Sequence, residues 1–294
     1  MNFAGLSVAL VTPFDAAGAV DVAALRRVVR HVVAGGVDVL VALGSTGEAA
    51  TLLEEERDLV VRTCLEEAQG RPVVVGTGSN STRQTAAWTR HAQELGAAGA
   101  LVVTPFYNKP TVGGLIAHYQ AAAAAAPGLP IILYNVPGRT GLNVTPAALL
   151  KLWENPQIVA VKESSGNLAQ IGEIARTLPP GKLLLSGDDN LALPSIAVGA
   201  AGLVSVLGNA LPHQTKALVS AALAGRREQA MSLHHRLLPL MDALFVESNP
   251  IPLKALMRHL ELCGDGVRLP LVPASAATRE QLVAALRLAP GREG

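Results

Sequence analysis

Short runs of β-branched and other apolar residues recur along the chain. Each is followed by a longer stretch in which apolar positions return every three or four residues or alanine predominates. The first kind reads as a strand and the second as a helix. The pattern predicts strands over 7–11, 37–43, 72–76, 100–104, 130–134, 158–162, 182–186 and 202–206. Helices are predicted over 22–34, 54–69, 81–95, 112–126, 146–153, 168–178, 190–198 and 212–224, with Asp21 and Ser81 as N-caps and Pro146 in a first turn. Eight strand-helix repeats at nearly even spacing favour a closed (β/α)8 TIM barrel over an open doubly wound sheet. The alternation stops after Gly225, where helices are predicted over 228–246, 251–262 and 277–288. The expected division is therefore a barrel over 1–224 carrying the active site and a C-terminal helical domain over 225–294, which either caps the barrel or supplies an oligomer contact.

Length agrees with this division, since 294 residues accommodate a barrel of about 250 residues plus an addition. A net charge of +1 without a basic run removes the electrostatic footprint of a nucleic-acid binder, so a small-molecule partner is expected. Residues 1–14 lack the pattern of a signal peptide, and no apolar run is long and pure enough to span a bilayer. The expectation is a cytoplasmic protein with no membrane partner. Cys64 and Cys263 stand far apart without metal-ligand spacing and read as reduced, structural residues.

Against this apolar pattern one charge is out of place. The run Ile158-Val159-Ala160-Val161 closes in Lys162, whereas Lys109, Lys151, Lys182, Lys216 and Lys254 sit where a solvated end or helix face explains them. Low dielectric at the end of a buried strand disfavours the ammonium and frees the amine as a nucleophile; the bland alternative is a lysine that snorkels to water. In barrels of this kind, chemistry collects at the C-terminal ends of the strands. Here those ends read Gly44-Ser45-Thr46-Gly47-Glu48, Thr104-Pro105-Phe106-Tyr107-Asn108, Tyr134-Asn135-Val136-Pro137-Gly138-Arg139-Thr140-Gly141 and Gly187-Asp188-Asp189. Taken singly, these are a tight turn, rim packing and a surface ion pair. Together with a sheathed lysine they describe a site. A phenol relays a proton, Ser45 and Thr46 in a glycine-flanked turn offer donors to a carboxylate, and Arg139 offers a planar fork to a second one. The substrates inferred are small carbonyl-bearing acids.

Other candidates are weaker. His234 and His235 are adjacent and diverge on a helix, and Asp188-Asp189 reads as the cap of the helix that follows rather than a cation site, so no metal is expected. Gly76-Thr77-Gly78 lacks the remainder of a dinucleotide fingerprint, and the Gly-rich ends of the seventh and eighth strands lack a basic companion for phosphate.

The rim motifs, with Val161-Lys162-Glu163 and Val246-Glu247-Ser248-Asn249-Pro250-Ile251-Pro252, resemble the dihydrodipicolinate synthase family of the pyruvate-dependent class I aldolases, in the right order over nearly the whole chain. The resemblance implies a TIM barrel with a C-terminal helical domain, assembled as a homotetramer of two tight dimers. It implies a Schiff-base lyase that condenses pyruvate with L-aspartate 4-semialdehyde to 4-hydroxy-tetrahydrodipicolinate, in diaminopimelate and lysine biosynthesis, without a cofactor. By position, Lys162 forms the imine and Tyr134 sits over it as proton donor and acceptor. Ser45 and Tyr107 complete the relay, Tyr107 reaching in from a neighbouring subunit. Thr46 holds the pyruvate carboxylate, Arg139 holds that of the semialdehyde, and Gly187 and Val204 line the pyruvate pocket.

Two departures from the family pattern stand out: Ser45 replaces a usual threonine, and Phe106 a frequent tyrosine. The second bears on an L-lysine feedback pocket, where Gln84 replaces an acid, Glu54 and Arg57 replace histidines, and Asn80 is retained. Weak or absent inhibition by lysine is expected. The alternatives are another pyruvate-dependent aldolase or dehydratase acting on a sugar acid, which Arg139 argues against, and a non-catalytic keto-acid-binding barrel, which an intact lysine and relay argue against.

Overall fold

A computed structural model describes residues 3–289 and 291. Eight strands, β1 (Gly5–Ala9), β2 (Val39–Ala42), β3 (Val73–Gly76), β4 (Gly99–Val103), β5 (Ile131–Asn135), β6 (Ile158–Glu163), β7 (Leu183–Ser186) and β8 (Gly202–Ser205), pair in parallel and in sequence order. The ring closes where β1 pairs with β8, Ser7 opposite Val204. Between the strands run α1 (Val22–Ala34), α2 (Glu54–Glu67), α3 (Thr82–Glu94), α4 (Val112–Ala125), α5 (Pro137–Thr140), α6 (Pro146–Leu152), α7 (Leu168–Arg176) and α8 (Ala192–Ala197), and α9 (Pro212–Leu223) follows β8. The chain ends in α10 (Arg227–Ala243), α11 (Ile251–His259) and α12 (Ala276–Leu286). The architecture is the predicted TIM barrel with C-terminal helices. Asp21 accepts from the Ala24 N–H at 2.8 Å, Ser81 caps α3 and Pro146 opens α6, each as predicted.

The strands are continuous apolar runs because both faces are covered, a property of parallel sheets. Alternation still sorts the two faces. Ala9, Val41, Val74, Leu101, Ile132, Tyr134, Ala160, Leu185 and Val204 form the cluster inside the barrel. Their strand neighbours Leu40, Val75, Val102, Leu133, Val161, Leu184 and Leu203 face the helices. Lys162 lies two residues beyond Ala160 on β6 and so shares its inward face.

The final helices do not form a separate core. Leu237, Leu240, Leu253, Leu256 and Leu282 share one cluster with Leu25, Val28 and Leu218 of α1 and α9. The 224/225 boundary falls in the turn between α9 and α10. Among the described residues no helix is long and apolar enough to cross a membrane. Cys64 and Cys263 are both buried, unpaired thiols, and burial pushes the first up to about 12 and the second to about 11.

Candidate active site

Tyr134 and Lys162 face each other across the β5–β6 register, which also sets Asn135 opposite Glu163. Lys162 is 5% exposed, and its Nζ lies 4.0 Å from the centre of the Tyr134 ring, so the amine sits against a phenol face at the barrel mouth. The pair is held from behind. Asn135 Nδ2 donates to Glu163 Oε2 at 2.9 Å, the Ser165 N–H donates to Glu163 Oε1 at 2.8 Å, and both side chains are almost fully buried on the opposite face. Gly187, just beyond β7, has to be glycine for a packing reason: a Cβ there would lie 2.8 Å from Lys162 Cε and 1.9 Å from Ser164 Oγ. Val204, inside the barrel, is 1% exposed.

Asp188 follows Gly187, and burial pushes its carboxyl from 3.8 up to about 6, against the pull of the Lys162 charge. The sequence expectation that Asp188-Asp189 caps the next helix is not met. Asp188 makes no side-chain cap, and Asp189 reaches across to accept the N–H groups of Val206 and Leu207 at 2.8 and 3.1 Å and the Ser205 hydroxyl. Its fully buried carboxylate thus closes the turn after β8, where three donors converge. Among the described residues no cluster of potential metal ligands occurs.

The β2–α2 connection forms a 3-10 turn over Ser45–Gly47. Leu43 and Glu48 flank it in left-handed backbone with φ of 57° and 52°, a shape that costs a non-glycine residue about 1–2 kcal/mol. Thr46 is buried and Ser45 exposed. The Thr46 hydroxyl accepts from Asn249 Nδ2 at 2.9 Å, which leaves its own proton available to an incoming carboxylate. Arg139, exposed on α5, donates from Nη2 to the Asn249 carbonyl at 3.3 Å. Asn249 therefore ties together the turn expected to hold one carboxylate and the guanidinium expected to hold the other. The sequence offered no role for it, because it lies 110 residues beyond Arg139 on a segment outside the strand-helix repeat.

Tyr107 stands apart from these groups. It is 89% exposed, with φ of 72° and its N–H donating to the Thr140 carbonyl at 3.3 Å, so within one chain the phenol points away from packed structure.

Lys254 corrects the sequence reading most sharply. Expected on a solvated helix face, it is 0% exposed, and its Nζ donates to Glu48 Oε1 at 2.5 Å and to the Gly266 carbonyl at 2.8 Å. A lone lysine in an α-helical period gives no sign of a buried partner 206 residues away.

A parallel barrel whose C-terminal rim gathers a buried lysine amine, a phenol against it and donors for carboxylates is built as an imine-forming lyase would be. Comparison with known proteins narrows this class. The family model described as the Dihydrodipicolinate synthetase family matches residues 2–289. The 4-hydroxy-tetrahydrodipicolinate synthase of Thermomicrobium roseum is 48% identical over 97% of this chain and 94% of its own. A dihydrodipicolinate synthase structure from Aquifex aeolicus superposes with a TM-score of 0.94 at 41% identity, covering 97% of both chains. The chloride-inhibited dihydrodipicolinate synthase of Acinetobacter baumannii complexed with pyruvate gives 0.95 at 40% identity, over 98% of this chain and 99% of that one. The chain belongs to the dihydrodipicolinate synthetase family.

Proposed function

We propose that Lys162 is the imine-forming residue in the condensation of pyruvate with L-aspartate 4-semialdehyde to 4-hydroxy-tetrahydrodipicolinate, the reaction of diaminopimelate and lysine biosynthesis to which the chain's family points. The observation that carries the assignment is the Lys162 amine, buried on the inward face of β6 and 4.0 Å from the Tyr134 ring centre. The neutral amine attacks the pyruvate ketone and water leaves. Loss of a methyl proton from the iminium gives an enamine, whose carbon adds to the semialdehyde. The semialdehyde's own amine then attacks the iminium carbon, closing the ring and expelling Lys162. The imine is itself the electron sink, so the chemistry calls for neither metal nor cofactor.

Tyr134 moves the protons in this reading, with Ser45 and the Tyr107 of a neighbouring subunit completing the relay. Thr46 with local backbone N–H groups holds the pyruvate carboxylate, and its unspent hydroxyl proton supports that role. Arg139 holds the second carboxylate, a role for which its exposed fork suits it. Gly187 and Val204 shape the pyruvate pocket, which fits the bare backbone against Lys162 and the buried valine inside the barrel. A homotetramer built from two tight dimers, in the cytoplasm, completes the reading; the outward Tyr107 supports a shared site, and the two unpaired thiols suit a reducing compartment.

The test is borohydride reduction in the presence of pyruvate, read by intact mass, alongside a coupled assay with the semialdehyde. The expected result is one pyruvate adduct per chain in the wild type and none in Lys162→Ala. An adduct persisting on another lysine of the variant would refute the assignment.

A further inference from the structure

The turn read above as the pyruvate-carboxylate site holds an unusual shape, with non-glycine residues in left-handed backbone at both ends. Strained turns persist where their surroundings over-determine them, and here most of the surroundings come from beyond the barrel. Asn249 Nδ2 donates to Thr46 Oγ1. Lys254 Nζ donates to Glu48 Oε1, and the Arg268 N–H to Glu48 Oε2 at 3.0 Å. Arg268 Nη1 also donates to the Thr51 carbonyl at 2.8 Å. Within the barrel, the Thr12 hydroxyl adds a bond to the Gly47 carbonyl at 2.8 Å.

The Glu48–Lys254 pair is the most costly of these contacts to build. Both side chains are almost wholly shielded from water, at 2% and 0% exposure, and the ammonium lies 4.2 Å from the Phe14 ring centre. A fully buried ion pair is seldom the most stable filling for its volume, because desolvation offsets much of the attraction. What it supplies is geometry: a single position for a carboxylate that accepts from two directions.

We propose that Glu48 is a positioning residue for pyruvate, and that Lys254 and Arg268 of the C-terminal segment, acting through it, hold the Ser45–Gly47 turn in its carboxylate-binding shape. The helical segment is thereby a working part of the substrate site. This rests on the reading of Thr46 as the carboxylate donor. It separates two effects: pyruvate capture depends on the clamp, whereas the place of Lys162 against Tyr134, held by the Asn135–Glu163 pair on another side of the barrel, does not.

Three variants of the full chain test it: Glu48→Gln, which keeps the volume and an acceptor for the Arg268 N–H; the double variant Glu48→Met with Lys254→Met, which leaves no unpaired charge; and Thr46→Val. Each is measured for thermal unfolding, the pyruvate concentration giving half-maximal borohydride trapping, KM for each substrate, and kcat. In whichever clamp variants fold, half-saturation by pyruvate should rise about tenfold or more, since a displaced binding group forfeits orientation. KM for the semialdehyde should stay near wild type, a split between the two substrates that general loosening of the fold would not produce. Folded clamp variants with unchanged pyruvate half-saturation overturn the proposal if Thr46→Val raises it. If Thr46→Val also leaves it unchanged, the carboxylate assignment itself has failed.

Discussion

Lys162 and Tyr134 meet because two residue-level facts coincide: each lies on the inward parity of its strand, and the β5–β6 register sets them opposite. Arg139 depends on less, its guanidinium donating among the described residues to the Asn249 carbonyl alone. Arg139→Ala should therefore spare pyruvate trapping while weakening semialdehyde use, by about 2 kcal/mol or more for a lost charge-assisted pair. Equal losses in trapping and turnover would show that Arg139 serves the first substrate instead.

Asp188 carries a pH prediction. Its folded carboxyl lies at about 6 against an ordinary 3.8, so the folded state binds more protons than the unfolded state between those values. Stability contributed at this position is present at low pH and is lost as pH rises through the window. Asp188→Asn should remove that decline and gain up to roughly 3 kcal/mol over wild type above about pH 7. Urea unfolding of both proteins across pH 4 to 8, a range of about four units around that window, is the measurement; parallel stability curves would remove Asp188 as the cause.

Among the elements, α2 and α3 bear on regulation. Glu54, at the start of α2, accepts from Gln84 Nε2 at 3.3 Å and Trp88 Nε1 at 3.0 Å on α3, so its carboxylate is already engaged. Arg57 is buried against the Trp88 ring at 3.8 Å and donates to the Gly76 carbonyl at 2.9 Å; burial brings its guanidinium down to about 10. These residues occupy positions that the family resemblance assigns to a lysine-feedback pocket, and they serve one another. Phe106 offers no hydroxyl there. Replacing a carboxylate by the Gln84 amide forfeits roughly 1.5–3 kcal/mol toward an ammonium, and the absent phenol about one more. Activity should accordingly be insensitive to L-lysine below about 1 mM, and saturable inhibition within that range would contradict the prediction.

The element boundaries were legible in the sequence to within about three residues because the two periods that define strand and helix are local. The four-residue α5 was not, since Pro137-Gly138-Arg139-Thr140 is too short for a period to register. Nor was the 3-10 turn over Asp189–Leu191 that precedes α8, where a continuous helix is predicted.

At the scale of the whole molecule, the outward Tyr107 makes the single chain an incomplete catalyst in the proposed relay. Dilution or substitutions that separate the proposed dimer should lower turnover before the barrel unfolds. Sedimentation and activity followed over the same concentrations provide the check, and a stable monomer with full activity would overturn the shared-site reading.

From the residues alone, the chain's order of strands and helices, its closure into a barrel and the rim on which Lys162, Tyr134, Thr46 and Arg139 lie could all be worked out. Strand parity and the one-sided rim of a parallel barrel are properties of local pattern and repeat count. The parts of the site that span the chain were decided only by the tertiary structure. Asn249 on Thr46 and Lys254 on Glu48 join positions more than two hundred residues apart, and Asp189 closes a turn on a different strand from the helix it precedes. A side chain's partner is set by where the closed barrel brings its neighbours, and no local period records that.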